Sequence, residues 1–432
     1  MKFNIYTLGC KVNTYESNVM SDLLENKGYI KVSTDDIADI SIINTCTVTN
    51  TADNKSLKTI RHVINKNKDT IIVVVGCMSQ NKKEEVLKID GVDIVLGNVG
   101  KSKIVEYIDE YIKTKMSKLD IYDMMNQTFE PMILNNFDKT RAFVKIQDGC
   151  NNYCSYCIIP FVRGNVRSKR KEDILFEINN LIKQGHKEIV LTGIHTGHYG
   201  SEFNNYDFSD LLNEICEIEG LERLRISSIE ITELNDKFLE TLKNNKILVN
   251  HMHIPLQSGS DGVLIRMNRK YDKNYFINKI EKIRNIRPNI SITTDVIVGF
   301  PGETEEEFNE TIETINKVKF TKIHVFPYSN RKGTVASEME NQIDGKIKKE
   351  RVKKLMELSK QLEIEYMNKF INKEVIFIPE IEKDGYLIGH TENYLQIKAK
   401  CSKELIGSDV EVIIKEINYP NLESNVVNKV FS

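Results

Sequence analysis

The first hundred residues alternate between short apolar runs and amphipathic stretches. Four apolar runs of strand length are KFNIYTLGC, DISIINTC, TIIVVVGC and VDIVLGN. Between them, apolar positions follow the helical period in TYESNVMSDLLENKGY, TADNKSLKTIRHVINKN and SQNKKEEVLKIDG. Strands that alternate with helices predict a parallel sheet that is covered on both faces. The N-terminal part is therefore predicted to be an α/β domain over residues 1–120.

A second alternating series begins at Arg141, after a polar connector within residues 101–138. Its six strand candidates are RAFVKIQ, KEIVLTGI, RLRISSI, HMHIPLQ, ISITTDVIVGF and TKIHVFPYS. Helical patterns lie between several of them, and residues 341–370 are typical of one long helix. Six β/α units predict an open or partial (β/α)6 barrel of the TIM type. This second domain is predicted to cover residues 138–368.

The remaining residues, 371–432, have the pattern of an all-β domain. Its short strands are EVIFIPEIE, YLIGHTENYLQIKAK, DVEVIIKEI and NVVNKVF, and Gly, Asn and Asp turns separate them. About 60 residues of this kind predict a small β-barrel. The fold class predicted for the whole chain is α/β with three domains, which suits 432 residues.

Composition narrows the possible partners. The chain has 60 Lys and Arg against 62 Asp and Glu, for a net charge of −2. This excludes a globally polycationic nucleic-acid binder, so a contact with nucleic acid must come from a local basic patch. No run approaches the ~20 apolar residues of a transmembrane helix, and MKFNIYTLGCKVN lacks the apolar segment of a secretory signal. We therefore expect a cytoplasmic protein without membrane contact.

Three of the eight cysteines are clustered in DGCNNYCSYC, directly after the first strand of the second series. Cys150, Cys154 and Cys157 have C-x3-C-x2-C spacing, and thiolates are the usual ligands of iron–sulfur clusters. Three ligands to a four-iron cluster leave one iron open for chemistry. The alternatives are unconnected buried thiols or a structural zinc site, for which His195 or His198 is the nearest fourth ligand.

Three other cysteines share a position in the N-terminal domain. Cys10, Cys46 and Cys77 each come just after a predicted parallel strand, in TLGC, INTC and VVGC. The carboxyl ends of parallel strands meet at one edge of a sheet, where α/β proteins bind ligands. We therefore expect a second three-cysteine cluster there. The alternative is that they are ordinary buried thiols, since Cys is a common core residue.

Both cysteine motifs together resemble the methylthiotransferases, which are radical S-adenosylmethionine (SAM) enzymes. The matching segments are LGCKVNTYES, NTCTVT, VVGCMSQ, DGCNNYCSYCIIPFVRG, LTGIHTGHYG, RISSIEI, HIPLQSGSD and DVIVGFPGET. The resemblance implies an N-terminal three-cysteine domain, a radical SAM barrel and a small C-terminal β-barrel called TRAM, which binds RNA. It also implies two [4Fe-4S] clusters, one on each cysteine triad, with SAM on the open iron of the central cluster.

The resemblance further implies roles for polar residues near the strand ends. SAM contacts are expected from Tyr156, Thr192, Gly193, Ser227, Glu230, Gln257 and Asp295. Arg forks bind phosphates and carboxylates, and tRNA phosphate, or the SAM carboxylate for the nearest one, is expected for Arg163, Arg167 and Arg170. A solvated basic surface is the alternative for these arginines, and a structural carboxylate is the alternative for Asp295. Cys216 is expected in a helical core, and no role is expected for Cys401.

Within the family, LGCKVN and GCMSQ are most similar to the branch that acts on N6-threonylcarbamoyladenosine in tRNA. The implied reaction adds a methylthio group to C2 of that base beside the anticodon, at an unactivated C–H bond that requires a radical initiator. The alternatives are isopentenyladenosine in tRNA, a ribosomal protein or, in another class, a non-catalytic zinc-containing RNA-binding protein. The expected partners are tRNA and an electron donor such as flavodoxin or ferredoxin, and a monomer is expected.

Overall fold

The computed structural model describes residues 1–429, so part of the predicted strand NVVNKVF lies outside the described residues. The N-terminal unit is a parallel sheet in the order β2-β1-β3-β4-β5-β6. These strands are Lys2–Thr7, Ile30–Lys31, Ile40–Thr45, Ile71–Gly76, Ile94–Leu96 and Lys118–Asp120, numbered β1 to β6 along the chain. The predicted parallel sheet is confirmed. The short strands β2 and β6 were not predicted, because two or three residues leave no readable pattern.

Helices cover both faces of this sheet. They are Lys11–Asn26, Asn50–Lys66, Cys77–Asn81, Lys83–Leu87 and Ile104–Thr114, numbered α1 to α5. Alternate residues of the central strands enter opposite cores, with Ile42 and Val73 on one face and Ile43 and Val74 on the other. This two-sided burial explains why the central strands are continuously apolar.

The central unit contains the six predicted parallel strands. They are β7 (Arg141–Lys145), β10 (Glu188–Thr192), β11 (Arg223–Ile226), β12 (His251–His253), β13 (Ser291–Val298) and β14 (Lys322–Pro327). A small antiparallel pair is formed by β8 (Gln147–Asp148) and β9 (Arg167–Ser168). The main strands form two sheets, β11-β10-β7 and β12-β13-β14, which the bridge between Leu224 and Leu248 joins. Spatial order therefore follows chain order, and the predicted partial barrel is confirmed.

The barrel is open between its edge strands β7 and β14, and helices pack beside both edges. Its helices are α6 (Ile159–Arg163), α7 (Lys171–Lys183), α8 (Phe208–Cys216), α9 (Asp236–Asn244), α10 (Asp261–Arg266), α11 (Lys273–Ile286), α12 (Glu305–Val318) and α13 (Gly345–Asn368). The long helix α13 lies against β14, and α1 of the N-terminal unit lies against β7. Helix α1 begins directly after Cys10, so this packing places the N-terminal cysteines beside the barrel.

The C-terminal unit is a closed barrel in the order β15-β16-β17-β19-β18. Its strands are Glu374–Lys383, Tyr386–Thr391, Gln396–Ala399, Val410–Asn418 and Asn421–Lys429, numbered β15 to β19. The small all-β barrel predicted from short strands and turn residues is confirmed. Within residues 1–429, no helix is both long enough and apolar enough to cross a membrane.

Candidate functional site

The three N-terminal cysteines lie at the carboxyl edge of the sheet. Cys10 precedes helix α1, Cys46 follows β3 directly, and Cys77 follows β4 as the first residue of α3. Strands β1, β3 and β4 are neighbours in the sheet, so their carboxyl ends converge. The structure thus brings together the three cysteines that the sequence predicted to meet. Cys46 and Cys77 are buried, whereas Cys10 is exposed.

A glycine allows this close approach. Gly9 has φ +99°, and a Cβ built on it would lie 2.8 Å from Cβ of Cys46 and 3.0 Å from its Sγ. The side chain of Cys46 therefore packs directly on the backbone beside Cys10, a position that only glycine allows. Burial raises the pKa of the Cys46 thiol to about 11, so the free thiol stays protonated at neutral pH.

The second triad lies on the loop that follows β8. Gly149 begins this loop with φ +77°, and a Cβ there would lie 1.9 Å from the carbonyl oxygen of Asn165. Ser155, inside the loop, is held by backbone hydrogen bonds to Met267 (3.0 Å) and Ala336 (2.7 Å). The loop that presents the cysteines is thus fixed at its start and at its middle.

Burial affects the thiols of this loop as well. It raises the pKa of Cys150 to about 11 and that of Cys157 to about 12. Binding of a metal or cluster requires thiolates, so loading this site releases protons. A bound metal cation would supply the charge that stabilises thiolates in such a buried position.

The three sulfur atoms of each cysteine triad do not converge on one point. One zinc bound at about 2.3 Å to each thiolate would hold the sulfurs about 3.8 Å apart. Among residues 1–429, only His195, His198 and Glu233 bring three possible ligand atoms within 4.8 Å of one another, and neither cysteine triad does so. A multi-iron cluster does not require such convergence, because each cysteine binds a separate iron.

Arg163 does not have the exposed position that a contact with tRNA phosphate requires. It is 0% exposed, and its Nη1 lies 2.7 Å from Glu16 and 3.2 Å from Asp148. Its Nη2 donates to Asn13 at 2.9 Å. The predicted phosphate contact is therefore wrong for Arg163, because its guanidinium is buried and paired with carboxylates in an ion network between the N-terminal unit and the barrel.

The other two arginines of that stretch differ from each other. Arg167 is also buried, and its Nη1 donates to the backbone carbonyls of Arg163 (2.7 Å) and Asn165 (3.0 Å). The same burial makes the predicted phosphate contact wrong for Arg167. Arg170 has 74% of its side chain exposed and stands 3.6 Å from Glu172, so it stays a candidate for tRNA.

Three of the residues expected to bind SAM line one pocket. Tyr156, Gln257 and Asp295 surround a cavity of about 250 Å³, and Cys157 also lines it. Val48 and Thr49, which follow Cys46 in the N-terminal unit, form part of the same wall. The pocket thus lies between the two cysteine loops, with further apolar walls from Ile158, Ile159, Ile297, Phe326, Pro327 and Tyr328.

The other expected SAM contacts lie at the ends of β10 and β11. Thr192 is buried at the end of β10. A Cβ on Gly193 would lie 3.0 Å from Oε1 of Gln147, so Gly193 allows Gln147 to approach. Ser227 lies 3.3 Å from the Thr196 hydroxyl. Glu230 is ion-paired with the buried guanidinium of Arg269.

Both histidines of the β10 loop lie beside the central triad. Nδ1 of His195 is 3.7 Å from Sγ of Cys150, and its ring stacks on His198 at 3.8 Å. Their Nε2 atoms lie 3.5 Å and 3.1 Å from one oxygen of Glu233. Burial opposes the charge of Glu233, but the two histidines outweigh it and hold the pKa of that carboxyl below its usual range.

Several polar residues of the site were not predicted. Glu16, Asp148 and Arg269 are ion-paired around the two triads, and Arg331 joins the barrel to the loop after Cys46. Glu16 and Asp148 stand next to the cysteine motifs in KVNTYES and QDGC, which is the only signal that the sequence offers. The partners of Glu16 and Arg331 lie far away along the chain, so local patterns could not identify these two residues.

Comparisons with known proteins agree with this arrangement. Residues 2–97 match the family model described as uncharacterized protein family UPF0004, and residues 144–315 match the radical SAM superfamily. The chain is 44% identical over 433 residues to a Bacillus subtilis (strain 168) protein named threonylcarbamoyladenosine tRNA methylthiotransferase MtaB, covering 98% of this chain and 96% of that protein. A Clostridium tetani (strain Massachusetts / E88) protein named tRNA-2-methylthio-N(6)-dimethylallyladenosine synthase is 37% identical, with coverage of 98% and 96%.

A solved structure supports the fold. The radical S-adenosylmethionine methyltransferase TsrM from Kitasatospora setae, solved with tryptophan and a SAM analogue, aligns with TM-score 0.57 and 13% identity. The alignment covers 75% of this chain and 72% of that one. At this identity the likeness concerns the fold alone.

Proposed function

The chain belongs to the radical SAM methylthiotransferase family and is similar over its full length to members named MtaB, and we propose that it methylthiolates C2 of N6-threonylcarbamoyladenosine in tRNA. The observation that carries this proposal is the pocket between the loop of the central triad and the segment that follows Cys46 of the N-terminal triad. A chain that joins sulfur to an unactivated carbon needs both a radical source and a sulfur source near one substrate position.

We assign one [4Fe-4S] cluster to each triad, Cys150, Cys154 and Cys157 for the cluster that binds SAM, and Cys10, Cys46 and Cys77 for the auxiliary cluster. When bound, the central cluster with SAM supplies the one-electron chemistry for the C–H bond, and the auxiliary cluster supplies sulfur. Thiolates are the usual ligands of iron–sulfur clusters, and three of them leave one iron of a four-iron cluster open, which supports this assignment. The domain limits 1–120, 138–368 and 371–432 are part of the same proposal.

The residues of the pocket have roles in binding and in excluding water. Tyr156 packs edge-on against Phe300 at 6.5 Å, which covers the central loop with an apolar wall. Asp295 accepts from His253 at 3.1 Å and faces the pocket, where its carboxylate can accept from a ribose hydroxyl. Gln257 has φ +62° and bridges to β13, which directs its side chain to the same pocket. We propose these three as SAM contacts, with Thr192, Gly193, Ser227 and Glu230 at the neighbouring strand ends.

The surface near the pocket offers groups for a splayed RNA loop. Phe161 is 55% exposed and stands 6.1 Å from the ring of Tyr153, and Phe326 is 46% exposed at the pocket itself. Exposed aromatic rings stack on unpaired bases, and single-stranded loops are the usual targets of specific RNA recognition. Arg170 is the exposed arginine that we propose for phosphate contact. The C-terminal barrel is proposed as a TRAM-like RNA-binding unit. For the whole chain we propose flavodoxin or ferredoxin as the reductant, a monomeric state and a cytoplasmic location.

The competing substrate is isopentenyladenosine in tRNA, because relatives with that specificity are named at 34–37% identity. To separate the two, the chain is expressed in a bacterium that lacks its own tRNA methylthiotransferases, and digested tRNA is analysed by mass spectrometry. We expect 2-methylthio-N6-threonylcarbamoyladenosine to appear. Methylthiolated isopentenyladenosine alone would overturn the substrate assignment, and an unchanged nucleoside set would favour a ribosomal protein target.

A matched pair of variants tests the assignment of the two triads. The Cys10/Cys46/Cys77→Ala variant is expected to cleave SAM but to form no methylthio nucleoside. The Cys150/Cys154/Cys157→Ala variant is expected to lose both reactions. Equal loss of SAM cleavage in both variants would contradict separate roles for the triads.

A further inference from the structure

Each cysteine triad has a buried arginine that donates a hydrogen bond to one of its sulfurs. Nε of Arg163 lies 3.3 Å from Sγ of Cys77 in the N-terminal triad. Nη1 of Arg269 lies 3.3 Å from Sγ of Cys154 in the central triad. These two arginines each donate to a cysteine sulfur, and each contacts a different triad.

Arg163 stands in an ion network with an excess of positive charge. Its carboxylate partner Glu16 also accepts from Lys101 and from Lys145 (2.8 Å). Asp148 is shared by Arg163 (3.2 Å), Lys145 (2.7 Å) and Arg167 (3.4 Å). Four cations thus share two carboxylates inside the protein. A buried excess of positive charge is costly unless a negative group compensates it. Arg163 contacts Sγ of Cys77, which is a thiolate whenever it binds iron.

Arg269 stands in a smaller and local arrangement. Its Nη2 is ion-paired with Glu230, and its Nε donates to the Tyr271 hydroxyl at 3.2 Å. Only 3% of the Arg269 side chain is exposed. One carboxylate balances one guanidinium here, so the two arginines present different electrostatic surroundings to the two triads.

We propose that Arg163 is a positioning residue that raises the reduction potential of the auxiliary cluster, and that Arg269 does so independently for the central cluster. This inference rests on the assignment of a cluster to each triad. A hydrogen bond to a ligand sulfur and a nearby positive charge both stabilise the reduced cluster, which carries more negative charge. The network of Arg163 crosses from the barrel to the N-terminal unit, so it also fixes the distance between the two triads.

The test is a redox titration of reconstituted protein, followed by electron paramagnetic resonance. The Cys150/Cys154/Cys157→Ala background leaves the auxiliary cluster alone, and the Cys10/Cys46/Cys77→Ala background leaves the central one alone. In the first background, Arg163→Gln is expected to lower the ratio of reduced to oxidised cluster about tenfold or more at a fixed potential, which corresponds to about 59 mV for one electron. Arg269→Gln should leave that ratio unchanged.

In the second background the expectation is reversed. Arg269→Gln should lower the reduced fraction of the central cluster, and Arg163→Gln should leave that fraction unchanged. Arg61→Gln, on the exposed surface of α2, is the control that should move neither cluster. Equal shifts of both clusters by either arginine variant would overturn the proposal, because a general loss of structure acts on both sites.

The charge excess allows a test of opposite sign. Glu16→Gln removes a carboxylate from the network of Arg163, so the reduced fraction of the auxiliary cluster should rise at the same potential. Arg163→Lys keeps the charge without the Nε–H, and should fall between the wild type and Arg163→Gln. The role of Arg163 would be overturned if Glu16→Gln and Arg163→Lys moved the reduced fraction of the auxiliary cluster in the same direction. It would also be overturned if these variants bound their full iron content and the reduced fraction did not change. A wild type without iron would instead overturn the cluster assignment of the proposed function.

Discussion

The loop that carries Cys46 is tied to the barrel by one buried ion pair, and breaking that pair tests how the two units cooperate. Nη1 of Arg331 lies 2.8 Å from Oδ2 of Asp53, and both side chains are 5% exposed. Nη2 of Arg331 also lies 2.8 Å from the Thr47 hydroxyl. Asn50 extends the same contact through its side chain, which donates to the Asn330 carbonyl at 2.8 Å.

Replacing Arg331 with Met leaves the Asp53 carboxylate buried without its main partner. Removal of one member of a buried pair costs about 3–5 kcal/mol. Lys82 stands 3.4 Å from the same carboxylate and compensates part of the loss, so we expect a value near the lower limit, about 3 kcal/mol. Because Cys46 lies next to Thr47, the N-terminal triad should also be displaced relative to the pocket.

Two measurements follow from this reasoning on Arg331→Met. Urea unfolding should show the loss of stability, and Arg61→Met on the exposed surface of α2 should change it by less than about 0.5 kcal/mol. In activity assays, methylthio product should fall about 100-fold, as a misplacement of about 1 Å predicts, while SAM cleavage changes little.

The double variant Asp53→Asn/Arg331→Met provides the decisive comparison. It should recover part of the stability lost in Arg331→Met, since no unpaired charge stays buried. A loss below about 1 kcal/mol for Arg331→Met would show that the pair behaves like an exposed one and would refute the argument. Equal loss of SAM cleavage and product would refute the functional part.

Three further predictions concern packing and pH. Leu355→Ala removes a fully buried side chain from α13 where it covers the barrel, and should cost about 2–5 kcal/mol in chemical unfolding. Tyr394→Ala removes a ring that stacks on His251 (4.9 Å) and faces Arg225 (5.0 Å), so it should loosen the C-terminal barrel and speed limited proteolysis between the barrels. Burial, aided by Arg225, holds the pKa of His251 well below 6.5. The unfolded chain gains this proton first, so stability should fall as pH drops below 6.5 by up to about 1.4 kcal/mol per unit, and less steeply in His251→Asn.

The fold was largely predictable because the chain repeats one simple pattern. Buried parallel strands are continuously apolar, and the turns after them carry glycine and polar residues, so ten of the main strands were identified in the first two units. Cys10, Cys46 and Cys77 could be placed together because the carboxyl ends of neighbouring parallel strands converge. The short edge strands β2 and β6 could not be predicted, because their pairing depends on neighbours in the sheet.

The charged part of the site was much less predictable. FVRGNVRSKRK has the composition of an exposed basic surface, yet Arg163 and Arg167 are buried. Their burial depends on Glu16, which lies 147 residues before Arg163, and on Asp148. A local charge run therefore cannot reveal whether its partner is phosphate or a carboxylate of the same chain. The roles of the SAM-contact residues stay predictions.

The central claim is that one chain holds two separate iron–sulfur clusters around one pocket. The most direct measurement is the iron and sulfide content of anaerobically reconstituted wild type beside the Cys150/Cys154/Cys157→Ala variant. The account predicts about eight irons in the wild type and about four in the variant. About four irons falling to none would contradict a second cluster on Cys10, Cys46 and Cys77, and zinc in place of iron would contradict the radical mechanism itself.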